Sequence, residues 1–133
     1  MRSEKIIFTN GCFDVLHIGH IRLLEYAKSL TGRLIVGLNS DSSVKKLKGN
    51  SRPINRQSDR KKILESLKFV DEVIIFDEET PLSLIKKIKP DIIVKGGDYK
   101  KQDVVGAALA EVIIFKTIDG YSTTKTIQDI TNR

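Results

Sequence analysis

A chain of 133 residues can bury one core but is too short for two independent catalytic domains, so it reads as a single domain spanning 1–133. Its longest apolar runs are about five residues against the roughly 20 that cross a bilayer, the N-terminus lacks the apolar centre of a signal peptide, and a lone cysteine forms no internal disulfide. These features argue against a membrane partner and a stapled secreted fold, and lead us to expect a cytoplasmic protein. The net charge of +6 suits small polyphosphates as well as nucleic acid, and the scarcity of aromatics for base stacking sets the nucleic-acid reading aside.

The first β-branched run, KIIF at 5–8, leads into TNGCFDVLHIGH, with a helix expected to begin near Gly19 and to place Ile21, Leu24, Ala27 and Leu30 on one face. LIVGL at 34–38 is a second strand, followed by a basic loop, NSDSSVKKLKGNSRP. Ser58 then resembles an N-cap for a helix carrying Ile63, Leu64 and Leu67. EVIIF at 72–76 precedes Thr80-Pro81, read as a cap with Pro at the first position of a helix through Leu82, Leu84, Ile85 and Ile88, which Lys89-Pro90 ends. DIIVK at 91–95 and EVIIFK at 111–116 complete five short strands. The alternation of strands and helices indicates an α/β fold, a Rossmann-like three-layer αβα arrangement around a five-stranded parallel sheet.

In open α/β sheets ligands bind beyond the carboxyl ends of the strands, so the loops after strands one, two, four and five carry the candidates. After strand one stand Cys12, Phe13, Asp14, His17, Gly19 and His20. Backbone N–H groups at a helix start suit an anion, and glycine permits its close approach. Zinc would need further ligands, but these are the only two histidines and the only thiol; helix-capping or core histidines are the alternative without chemistry. After strand two, Asn39, Asp41, Lys45, Lys46, Lys48, Arg52 and Arg60 offer a clamp for phosphate oxygens or a solvated loop. After strand four, Gly96-Gly97-Asp98 allows backbone to lie against a base or ribose, or forms a tight turn. After strand five, Ser122, Thr123 and Thr124 at the last helix suggest a second phosphate cradle.

Together TNGCFDVLHIGH, NSDSSVKKLKG, RPIN, DEETPL, VKGGDY and GYSTT resemble the cytidylyltransferase-like nucleotidyltransferase superfamily over nearly the whole chain, most of all its heptose 1-phosphate adenylyltransferase branch. The glycerol-3-phosphate cytidylyltransferase branch shares the GxFDxLHxGH start. It typically carries an arginine where Thr117 stands and an acidic pair where GGD stands here, so both departures favour the heptose branch.

The resemblance implies transfer of AMP from ATP to heptose 1-phosphate, giving ADP-heptose and pyrophosphate, with Mg²⁺ carried mainly on the ATP phosphates and no protein metal ligand assigned. It also implies a homodimer. In this reading His17 and His20 donate to the triphosphate, Lys45 and Lys48 neutralise it, and Lys46 is an alternative to its neighbours. Ser122, Thr123 and Thr124 hold the β and γ groups, and Arg52 and Arg60 grip either substrate. Asp14 and Asp98 orient a donor, contact ribose, approach Mg²⁺ or order a loop, whereas Cys12 makes a packing or backbone contact. A phosphate monoester has its second pKa near ~6, so the nucleophile needs no general base.

Overall fold

Strand β1 (Lys5–Gly11) runs through the middle of a five-stranded, all-parallel sheet of order β3-β2-β1-β4-β5, seen in a computed structural model that describes residues 4–116 and 127–131 in full and residues 123–126 in backbone. The other strands are β2 (Gly32–Asn39), β3 (Glu72–Phe76), β4 (Ile92–Gly96) and β5 (Glu111–Phe115). Helix α1 (Ile18–Ser29) links β1 to β2, and α2 (Asp41–Lys48) and α3 (Gln57–Glu65) link β2 to β3. Helix α4 (Leu82–Ile88) leads to β4, and α5 (Thr123–Thr131) follows β5. After β3 the chain passes β2 and β1 to add β4 on the other side of β1, so the strand order reverses at β1 and opens a crevice there.

Each strand feeds two cores because successive side chains point to opposite faces of a sheet. Ile7, Leu34, Val36, Leu38, Ile92 and Val94 pack with Leu23, Leu24 and Ala27 of α1 and Leu64 of α3. Their neighbours Phe8, Ile35, Ile93 and Val112 pack on the other face with Ile85 of α4 and with Val104. Burying each such aliphatic side chain contributes about 1.5–3 kcal/mol, so helices on both faces, as the sequence implies, are what hold the sheet. Close approach also sets one glycine: a Cβ on Gly37 would meet Phe8 Cζ at 2.7 Å.

Helix boundaries depart from the sequence reading in detail. Helix α1 begins one residue before Gly19, with His17 as its N-cap. Arg56, not Ser58, caps α3, and Pro81, not Thr80, caps α4; neither makes a side-chain capping bond. The larger correction is α2, where a loop is expected. Ser40 accepts from the amide of Ser43 at 3.2 Å to start it, and Gly49 at φ +98° ends it. Only Ser43 and Val44 of this helix are buried, and Val44 and Leu47 are its only large apolar side chains, so its sequence reads as a basic loop. Among the described residues no helix is long and apolar enough to cross a membrane.

Candidate active site at the carboxyl ends of the strands

The turn after β1 reverses at Phe13, whose φ of +44° is a left-handed backbone costing on the order of 1–3 kcal/mol for a residue with a side chain. Its ring is buried, 5.2 Å from the ring of His20 by centroids. Phe13 therefore supports the imidazole from the core side and is not an open stacking platform for a base. The chain then enters α1 through a reciprocal cap. His17 Nδ1 accepts from the amide of Gly19 at 3.0 Å, and His20 Nδ1 accepts from the amide of His17 at 3.2 Å. Gly19 is buried in this turn, and its N–H is committed to the cap, so it is not an open anion donor.

That cap fixes the chemistry of both rings. An Nδ1 that accepts carries no proton, so in each neutral imidazole the proton lies on Nε2, the atom turned from the helix start. The rings stack at 3.9 Å between centroids, 28° apart. Burial lowers the His20 pKa to about 4, helped by the charges of His17 and Lys48, and burial also lowers that of His17. Capping and donation are thus not alternatives, since one nitrogen of each ring accepts in the cap while the other carries the proton.

The cations after β2 divide into two kinds. Arg60 is fully buried: its Nη1 donates to the carbonyls of Cys12 and Asn39, both at 2.8 Å, its Nε to that of Asn55 at 3.0 Å, and its Nη2 to Asp41 Oδ1 at 2.9 Å. Arg52 is also buried and donates through Nε to Asp14 Oδ2 at 3.0 Å, while its buried Nη2 has no partner among the described residues. The expectation that Arg60 reaches out to a phosphate is corrected accordingly, since its Nε, Nη1 and Nη2 are all engaged within the protein, whereas Arg52 is engaged through Nε. Both arginines tie strand ends and loops together inside the protein. Asp14 belongs to the same network, accepting from the amides of Ile54 at 2.7 Å and Asn55 at 2.8 Å. Burial alone would raise its pKa, but the Asn55 and Ile54 amides and the Arg52 guanidinium hold it below the usual value. Of the roles open to Asp14, the geometry matches loop ordering. Asp41 is held in place too, by Arg60 and by the amide of Gln57 at 2.8 Å.

The lysines lie on α2 and are exposed, and the helix separates them. Lys48 lines a cavity of about 450 Å³ at the strand ends, Lys45 lines a smaller one of about 160 Å³ beside Asp41 and Ile54, and Lys46 lines neither. The large cavity lies over the end of β1, where Asn10, Gly11 and Cys12 meet Asn39 from β2 and Lys95 from β4. Asn39 is buried, with Nδ2 donating to Ser43 Oγ at 3.0 Å. Burial raises the Cys12 thiol pKa despite the nearby Lys48, Arg60 and Arg52 charges, so the thiol is protonated at neutral pH and is no ready nucleophile.

Gly97 adopts φ +114°, and its amide donates to Phe115 O at 3.1 Å, which makes the paired glycines a tight turn out of β4. Gly96 ends β4, paired with Phe115. Asp98 is exposed and does not line the cavity. The backbone of Thr123 and Thr124 opens α5, while their side chains and all of Ser122 lie outside the described residues. Sequence reasoning assigned no role to Lys95, Tyr99, Glu79 or Asp103 of the cavity wall, although VKGGDY contains the first two and DEETPL contains Glu79. The position of Lys95 at the end of a strand, the same signal that drew attention to Gly96, also pointed there.

Comparison with known proteins agrees with this architecture. The family model described as cytidylyltransferase-like matches residues 8–131. The chain is 62% identical over 129 residues to the bifunctional protein HldE of Aliarcobacter butzleri, covering 96% of this chain and 27% of that protein. It is 56% identical over 135 residues to the same-named protein of Campylobacter jejuni subsp. doylei, covering 99% and 29%. The chain thus spans under a third of the length of these relatives. Among solved structures, the lipopolysaccharide core biosynthesis protein of Thermoplasma volcanium superposes with a TM-score of 0.74 at 27% identity, covering 88% of this chain and all of that one. Pantothenate synthetase of Thermus thermophilus shares the fold, with a TM-score of 0.65 at 16% identity over 96% of this chain and 62% of that one.

Proposed function

Because this chain belongs to the cytidylyltransferase-like family, we propose that it transfers AMP from ATP to heptose 1-phosphate, releasing pyrophosphate and ADP-heptose. An oxygen of the acceptor phosphate forms a bond to the α-phosphorus as the bond from that phosphorus to the oxygen bridging to the β-phosphate breaks. Pyrophosphate leaves with the electron pair. The acceptor is already largely ionised at neutral pH, so the residues have no proton to remove; their work is to hold two polyanions together and to stabilise charge on the equatorial and leaving oxygens.

The observation that carries this reading is the pair of neutral imidazoles, each with Nδ1 locked by the backbone and its proton on Nε2. Such fixed donors suit charge that develops in the transition state, and a His20 pKa of about 4 makes that ring a poor proton acceptor at neutral pH. Lys48, close enough to depress the His20 pKa, supplies positive charge beside them. The chemistry that Mg²⁺ would supply, when brought in with ATP, is neutralisation of phosphate charge. Asp14 is committed to Arg52, Ile54 and Asn55, so the ATP phosphates rather than this carboxylate would supply most of the ion's ligands. Assembly as a homodimer belongs to the same proposal and is checked by sedimentation.

Pyrophosphate release measured across ATP, CTP and GTP, each with heptose 1-phosphate or glycerol 3-phosphate, tests the reading. Turnover is expected with ATP and heptose 1-phosphate. Turnover confined to CTP and glycerol 3-phosphate would move the protein to the other branch, and nucleotide binding without release in any pairing would reject catalysis.

A further inference from the structure

The cavity over β1 is lined by two cations that come from opposite sides of that strand. Lys48 arrives from α2, which follows β2, and Lys95 from β4, with Asn10, Gly11 and Cys12 of β1 between them. Lys95 is half-buried, with its ammonium 5.0 Å from the centroid of the Tyr99 ring, and among the described residues no carboxylate pairs with it. A cation drawn out of water without a counter-charge is costly, and here it fronts a cavity that an anion can enter. Burial accordingly lowers its pKa.

The rest of the wall narrows the choice of anion. Glu79 and Asp103 are exposed and line the same cavity. Carboxylates repel a polyphosphate but accept hydrogen bonds from hydroxyls, so the lining fits a ligand with one phosphate and several hydroxyls better than it fits the tail of a nucleotide. Neither His17 nor His20 lines the cavity, although Lys48 touches both settings by lining it and acting on His20.

We infer that this cavity is the acceptor subsite, and that Lys95, set across β1 from Lys48, grips the phosphate of the sugar 1-phosphate while Glu79 and Asp103 read its hydroxyls. The inference rests on the transfer reaction proposed above. It places a substrate-binding side chain on a residue of VKGGDY to which the sequence reading gives no role, and it makes the Tyr99 ring the support on which that side chain lies.

Steady-state kinetics of the full chain, varying ATP and heptose 1-phosphate separately, test it with Lys95→Met, which keeps the apolar stem and removes the charge. The KM for the sugar phosphate should rise about 10- to 100-fold while that for ATP changes by less than about twofold, and Lys95→Arg should recover most of the loss. Tyr99→Leu, at a half-exposed position, should raise the sugar-phosphate KM alone by about threefold or more, and it serves as the second probe should Lys95→Met fail to fold. An unchanged sugar-phosphate KM in these variants, or a rise confined to ATP, overturns the assignment. Those results leave wild-type turnover intact, whereas wild-type protein inert with every nucleotide and acceptor pair would remove the reaction and the subsite with it.

Discussion

Two sets of cations surround the same strand ends and differ in where their donors go. Arg52 and Arg60 are buried and bonded to carbonyls and carboxylates of the protein, whereas Lys48 and Lys95 line the cavity and no carboxylate among the described residues pairs with either. Positive charge in a basic segment is therefore not all binding charge. A guanidinium with its planar fork can join several chain segments at once, and Arg60 links the ends of β1 and β2 to the loop before α3. An ammonium on a flexible stem suits a ligand that comes and goes.

The contrast breaks most sharply at Arg60. Arg60→Met should cost about 3–5 kcal/mol in urea unfolding, because it leaves buried carbonyls and the Asp41 carboxylate without their donor. A loss below about 1 kcal/mol would mean that this arginine is not the internal tie described here.

His17→Ala and His20→Ala should each lower kcat by about 10²- to 10³-fold, roughly 3–4 kcal/mol of transition-state stabilisation, with less change in KM. Near-normal turnover in either variant would reduce that ring to its capping role, whose loss costs about 1 kcal/mol of stability.

Acid stability separates the histidine from the buried carboxylate. Between pH 6.5 and about 4 the unfolded chain protonates His20 while the folded imidazole resists, so the unfolded state binds more protons and stability falls as pH falls through that window. Asp14, held below its ordinary 3.8, adds its loss only at lower pH. Urea unfolding of wild type and His20→Asn at pH 7 and at pH 4.5 checks this. A pH dependence that is the same in both proteins would contradict the neutral, buried ring.

The smallest effect is expected at Cys12. Its carbonyl accepts from Arg60 and its thiol is kept protonated by burial, so Cys12→Ser should retain most activity. Complete loss of turnover in a folded variant would give the thiol a role that the site does not require.

The amino-acid sequence determined the strands, three of the helices between them and the pairing of two imidazoles at the HxGH turn. Those properties rest on short-range patterns: β-branched runs for β1 to β5, apolar spacing for α1, α3 and α4, and two imidazoles three residues apart. Helix α2 escaped because it is eight residues long and carries only two large apolar side chains, Val44 and Leu47, among serines and lysines. What only tertiary structure decided is which polar groups remain available. Arg60 lies 48 residues from Cys12 and 21 from Asn39, and Asp14 lies 38 from Arg52. Charge is local to a residue, but burial and hydrogen-bond partners come from distant segments. The fold thus turned two arginines inward and left Lys48 and Lys95 facing the cavity over β1.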